Sequence, residues 1–165
     1  MNLTSDFRNA MAQLGSAITI ITTDGPAGRF GFTASAVCSV TDSPPTLLVC
    51  MNRSSFAHGK FQHNGGVLCV NVLSGQHQQL SGIFANGQIR SEERFLHDEW
   101  LALETGSPAL ASAVANCDCV IADSHEVGSH SVFYCEVKQI RFGNPSDGLV
   151  WFNRQYHTLS MASCR

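Results

Sequence analysis

The residues best suited to hold a ligand form one run, Gly31-Phe-Thr-Ala-Ser-Ala-Val-Cys-Ser-Val-Thr-Asp-Ser-Pro-Pro45. Side chains this small let a flat molecule lie directly against backbone amides. The run holds no acid–base pair, no metal-ligand cluster and no nucleophile beside its base. That pattern points to a site that holds a planar cofactor and leaves the bond chemistry to it. A second candidate is Asn52-Arg53-Ser54-Ser55, ahead of a helix expected to run to about Gln62. Unpaired amides in a first helical turn, the helix dipole and the Arg53 charge would together attract a phosphate. The same serines also serve as plain helix caps.

Other reactive residue types are present without a reactive spacing. The cysteines are Cys38, Cys50, Cys69, Cys117, Cys119, Cys135 and Cys164, an odd number with no CxxC. Most sit in apolar, strand-like stretches, as buried thiols of a reducing compartment do. Cys117 and Cys119 share one strand face, but no second pair stands at zinc-like spacing. His58, His63, His77, His97 and His125 form neither HExxH nor a facial triad and are expected at the surface.

The elements that position these residues fit a single domain over 1–165. Phe7, Ala10, Met11 and Leu14 repeat at helical spacing behind Ser5 and Asp6 as candidate caps, with an end near Gly15. Ala17–Thr23 reads as a strand, Asp24–Gly28 as a turn, and Arg29–Val40 as the returning strand of a hairpin. Pro44-Pro45 leads into a buried strand over Thr46–Met51. Strands follow at 67–73, 117–123, 131–140 and 149–152, with a helix over 76–85 burying Leu80, Ile83 and Phe84. The stretch from Gly87 to Thr105 reads as irregular apart from a local turn at Glu92–Phe95. Strands and helices do not alternate regularly, and neither GxGxxG after a strand nor a P-loop is present. The fold class is α+β, mainly β, an antiparallel barrel or sandwich with short flanking helices.

Composition narrows the partners. The net charge is -3 and basic residues form no run, which argues against nucleic-acid binding through a basic patch. No apolar stretch approaches the roughly 20 residues of a spanning helix. The first residues lack the layout of a secretory signal, so a cytoplasmic protein is expected. Charged residues make up only 14%, which suits a surface partly covered by another subunit.

The chain resembles the short-chain flavin reductases, the reductase components of two-component flavin-dependent monooxygenases. The resemblance runs from Phe7 to His157. It is carried by 20–29 (IITTDGPAGR), 33–40 (TASAVCSV), Pro44-Pro45, 50–55 (CMNRSS), 70–73 (VNVL), 93–95 (ERF), 128–130 (GSH) and Tyr156-His157. The reductases of pyrimidine utilisation, similar at 25–33 and 148–154, and those serving 4-hydroxyphenylacetate hydroxylation are nearest.

The resemblance implies a split β-barrel, a homodimer, and hydride transfer from NADH or NADPH to FMN or FAD. Reduced flavin would then pass to a separate monooxygenase. Such a site must stack two rings at roughly 3–3.5 Å and place hydrogen-bond donors where charge grows on the flavin. The resemblance assigns Thr33, Ala34, Ser35 and Ser39 to the flavin ring. Asn52, Arg53, Ser54 and Ser55 go to the ribityl phosphate, and Phe84, Ala85 and Arg94 to the flavin tail. His130 and Tyr156 go to the nicotinamide nucleotide. Arg94 could equally form a surface ion pair with Glu92 or Asp98, and Tyr156 a dimer contact. The alternative function is a non-catalytic flavin- or haem-binding split barrel. Pyridoxamine-phosphate oxidase chemistry would want several clustered Arg and Lys residues, and the ten here are scattered. The absence of such a cluster also favours NADH over NADPH.

Overall fold

The computed structural model describes residues 2–61 and 64–162. Gln62, His63 and Cys164 lie outside the described residues. The chain runs α1 (Leu3–Met11), β1 (Ser16–Ala17), β2 (Thr19–Gly25), β3 (Gly28–Ala34), β4 (Val37–Asp42), β5 (Pro45–Asn52) and β6 (Val67–Val72). It continues α2 (Gln78–Ala85), α3 (Ser91–Arg94), β7 (Trp100–Ala102), β8 (Pro108–Leu110), β9 (Ala115–Val127), β10 (His130–Phe142), β11 (Gly148–Phe152) and β12 (Gln155–Leu159).

Seven strands form one antiparallel sheet in the order β3-β2-β6-β9-β10-β5-β4. Its edge strands, β3 and β4, are consecutive in the chain and separated only by Ser35 and Ala36. The end of one edge strand therefore runs almost directly into the start of the other, and no ladder joins the two edges. This is a split barrel: mainly β, with short helices at its flank. A three-stranded sheet, β1-β11-β12, and the β7–β8 hairpin complete the structure.

The period-2 pattern of the strands explains the two cores. Inside the curl, Ile21, Phe32, Val49, Met51, Leu68, Ile121 and Phe133 pack together. On the other side Ile20 packs with Leu80, Phe84, Phe95, Leu110 and Leu149. Ile20 and Ile21 are neighbours on β2 that point to opposite faces. Because both faces are covered, the first five residues of β2 are all buried instead of alternating.

Several boundaries differ from expectation. The single strand expected over Arg29–Val40 is two strands, since β3 pairs with β2 whereas β4 pairs with β5. The helix expected after Ser55 is replaced by turns and one 3-10 turn at His58–Lys60. Helix α1 is capped by Asn2, whose Oδ1 accepts from Thr4 N at 3.1 Å, and not by Ser5 or Asp6. The stretch expected to be irregular holds α3 and β7, and β12 adds a strand. No described helix is long and apolar enough to cross a membrane.

Candidate functional site

The seam between β3 and β4 opens as a cleft of about 310 Å³. Thr33, Ala34 and Ser35 line it beside Asn52 and Ser55, with Phe84 and Ala85 from the end of α2. β3 and β4 do not pair at the seam; Val37 N donates to Ser35 O within the link, and Cys50 N donates to Ala36 O from the β5 side, both at 3.0 Å. The lining there is main chain and very small side chains, the surface a flat ring needs. Phe84 is positioned by Gly31, where an added Cβ would fall 2.7 Å from the Phe84 ring and 3.2 Å from Ile21 O.

A second cavity of about 200 Å³ shares Thr33, Ala34, Ser35 and Ala85 with the first and adds Ile18, Ser81, Trp151 and Tyr156. The Thr33 hydroxyl donates to Ser81 O at 2.6 Å, and the Ser81 and Tyr156 hydroxyls are 3.0 Å apart. Trp151 and Tyr156 are cross-strand partners on β11 and β12, with rings edge-to-face at 4.9 Å. The turn joining those strands holds Asn153 and Arg154 at φ 49° and 59°. Two successive positive φ values give a hairpin twist that matches its strands.

Neither lining contains Asp, Glu, Lys, Arg or His. Cys50, on the cleft wall, has its thiol pushed up by burial and then by neighbouring Cys38, so it stays neutral. The site can bind and orient a neutral planar ring. Its protic side chains are the hydroxyls of Thr33, Ser35, Ser55, Ser81 and Tyr156 and the neutral Cys50 thiol, with no charged acid or base beside them.

Arg94 is fully buried behind this wall. Its guanidinium donates to Ile89 O, Gly31 O and Phe84 O at 3.0 Å each and to Asn86 O at 2.6 Å. It forms no surface ion pair with Glu92 or Asp98, which corrects that alternative, and it does not reach the cleft surface. Burial lowers its pKa. Four carbonyls and the face of Phe56 compensate the charge. Arg94 thereby ties β3 to the end of α2 and holds the wall in place.

The phosphate end also differs from the expectation. No α-helix begins at Ser55, so the helix-dipole argument does not apply. Ser54 N and its hydroxyl both donate to Asn52 Oδ1, at 3.0 and 2.8 Å. Arg53 is held by Glu126 at 2.8 Å and by Gly128 O at 2.6 Å. Arg53 and Ser54 line a separate polar depression with Arg8, His58, Glu126 and Ser129, which meets the cleft at Asn52. His130 stands opposite Asn52 in the β10–β5 ladder, exposed, its Nδ1 2.9 Å from the Ser129 hydroxyl. Ser39 lies on β4 opposite Leu47, exposed and outside both cavity linings.

Sequence reading missed Cys50, Phe56, Ser81, Trp151 and Arg8. Cys50 was within reach, because it shares a strand face with Asn52 two residues on. The misread helix hid Phe56. Trp151 and Ser81 depend on long-range packing that no local pattern announces. His77, expected at the surface, is buried in a hydrogen-bond chain with Ser74 and Ser112. Among the described residues, no three His, Cys, Asp or Glu side chains converge as a metal site.

A split barrel with a neutral small-residue cleft at its seam is a shape suited to a planar ring. Residues 11–160 match the flavin reductase like domain, and the chain belongs to that family of oxidoreductases. It is 53% identical over 156 residues to the FMN reductase (NADH) RutF of Variovorax paradoxus (strain S110), covering 94% of this chain and 86% of the relative. A crystal structure from Haemophilus somnus 129PT is 49% identical with TM-score 0.89, covering 94% of this chain and 98% of the other. BorF, the flavin reductase component of a bacterial two-component tryptophan halogenase, superimposes with TM-score 0.87 at 25% identity, covering 96% and 99%.

Proposed function

We propose that the chain transfers a hydride from NADH to FMN and releases reduced flavin to a separate monooxygenase, acting as a cytoplasmic homodimer. The observation that carries this reading is the uncharged cleft at the β3–β4 seam, which offers ring-sized space and no acid or base. Bound flavin would supply the hydride acceptor and the nicotinamide the donor. The protein's task is then to orient rings and exclude water. Thr33, Ala34 and Ser35 would lie along the isoalloxazine, with Phe84 and Ala85 at its side. Asn52 and Ser55 suit the ribityl chain. The phosphate would reach the depression of Arg8 and Arg53, where Ser54 adds a hydroxyl. His130, opposite Asn52 and beside that depression, suits the nicotinamide nucleotide.

Glu126 sits in the same depression, paired with Arg53. The Variovorax relative is an FMN reductase that uses NADH, and BorF serves a two-component tryptophan halogenase, which supports a separate partner that takes up the reduced flavin. Exposed Leu3, Phe7, Met11 and Leu14 line one side of the N-terminal region, and Val40, Ile140 and Phe142 are exposed on β4 and β10. This apolar surface supports burial against a second copy. Six free thiols among the described residues fit a reducing cytoplasm. A steady-state assay crossing NADH and NADPH with FMN, FAD and riboflavin tests the activity. NADH oxidation dependent on added flavin is expected, and its absence with every flavin would refute the reading. Light scattering tests the dimer.

A further inference from the structure

We propose that the second cavity receives the methylated benzene edge of the isoalloxazine, and that Trp151 sets which substituents on that edge the protein accepts. This rests on the flavin reading above and adds a specificity element to it. Thr33, Ala34, Ser35 and Ala85 line both cavities, so the two adjoin along one wall, and a rigid tricyclic ring laid along Thr33–Ser35 in the cleft would direct one edge towards the second cavity. The lining is suited to an apolar edge: Ile18, Ala85 and the Trp151 ring supply the contact surface. Its hydroxyls are largely engaged with one another, Thr33 with the Ser81 carbonyl and Ser81 with Tyr156. A carboxamide or a pyrimidine edge would find few open partners there, whereas a dimethylbenzene edge needs none. Main-chain polar groups at the unpaired edges of β3 and β4 are better matched to the pyrimidine side.

The hairpin that carries Trp151 is tied on both sides. Trp151 pairs with Ser16 on β1 as well as with Tyr156 on β12, and Asn153 N donates to Ala12 O at 2.7 Å. A bulkier substituent cannot be accommodated by moving the hairpin without breaking these contacts. Exclusion by one such contact is worth about tenfold or more.

The test compares dissociation constants, by equilibrium dialysis, of FMN and an analogue bearing an 8-dimethylamino group in place of the 8-methyl. The wild-type protein should bind the analogue at least about tenfold more weakly, and Trp151→Ala should narrow the gap to within about threefold. In parallel, the Ile18 δ-methyl resonance of the wild-type protein should show a ring-current shift on titration with lumiflavin, the ring without its tail. Equal wild-type affinity for the two flavins, or an unmoved Ile18 methyl at saturating lumiflavin, overturns the assignment while leaving flavin binding intact. Failure of every flavin to bind overturns both readings. A gap unchanged in the folded Trp151→Ala variant overturns the role of Trp151, and Trp151→Phe takes its place if the alanine variant does not fold.

Discussion

The guanidinium carbon of Arg94 lies 4.0 Å from the centroid of the Phe56 ring. Phe56 lines the cleft and Arg94 is sealed behind it, so a buried charge supports the wall of a neutral site from outside. Removing that charge strands four carbonyls on β3, α2 and the loop beyond. Each buried unsatisfied group costs about 1–3 kcal/mol. Arg94→Met should therefore lower stability by at least about 3 kcal/mol, read as a shifted urea midpoint. Arg94→Lys should recover only part of it, because an ammonium cannot span carbonyls arranged for a planar fork. Full stability in the lysine variant would contradict this account.

Gly31 and Phe84 are coupled across the same wall. A Cβ at position 31 meets a ring on one side and the Ile21 carbonyl on another, so relief must come mainly from Phe84 moving. Phe84 is also held edge-on against Phe95 at 5.2 Å, which leaves movement towards the cleft. Gly31→Ala should cost about 1–3 kcal/mol by overpacking. It should also weaken FMN binding at least about fivefold by dialysis, since the displaced ring occupies ligand space. Stability loss with unchanged flavin affinity would separate Phe84 from the site.

Much of this arrangement was legible in the sequence, for identifiable reasons. The β-branched run at 17–23 and the small residues at 33–36 carry local signals that point to the hairpin and to the cleft wall, whereas 37–39 line neither cavity. Chain continuity across Ser35-Ala36 concealed the change of sheet edge, because both sides have strand-like residues and only ladder partners distinguish them. Asn52-Arg53-Ser54-Ser55 has good capping chemistry, yet Asn52 spends its side chain on Ser54 and the following residues turn instead of coiling. Arg94 read either as a contact to the flavin tail or as a surface ion-pair partner of Glu92 or Asp98, because acidic residues stand near it in the chain. Its burial follows from where α3 packs, which no neighbouring residue encodes.

Arg53 offers a charge that Glu126 already holds, and the pair is about half exposed. Exposed pairs of this kind are worth about 0.2–1 kcal/mol. Glu126→Gln should release Arg53 to a phosphate and remove a repulsive carboxylate. FMN should then bind about two- to fivefold more tightly, while riboflavin, which has no phosphate, should be unchanged. Raising the salt concentration should erase the gain. An equal effect on both flavins would show that the depression does not hold the phosphate.

His77 makes stability depend on pH in a definite direction. Its Nδ1 accepts from Ser74 N at 2.9 Å, so the neutral ring carries its proton on Nε2 and donates it to the Ser112 hydroxyl at 2.9 Å. Ser112 donates onward to Asp98 at 3.2 Å. Protonating Nδ1 would set two N–H groups against each other and break the cap of the turn before α2. Burial lowers the His77 pKa below its ordinary 6.5, with Asp98 opposing the shift in part. The unfolded chain then takes up the proton first as pH falls, so stability rises with pH across this window. The contribution is fully present above about 6.5 and is lost as pH drops towards the folded value. Urea midpoints at pH 7.5 and 5.5 should differ more for the wild-type protein than for His77→Asn, which cannot titrate. The asparagine variant should be the less stable of the two at pH 7.5, having lost the bond to Ser112. An identical pH response in both proteins would assign the loss of stability to other groups, with the buried carboxyl of Asp118 as an improbable source. Burial raises that pKa, so its effect has the opposite sign, favouring the folded state as pH falls.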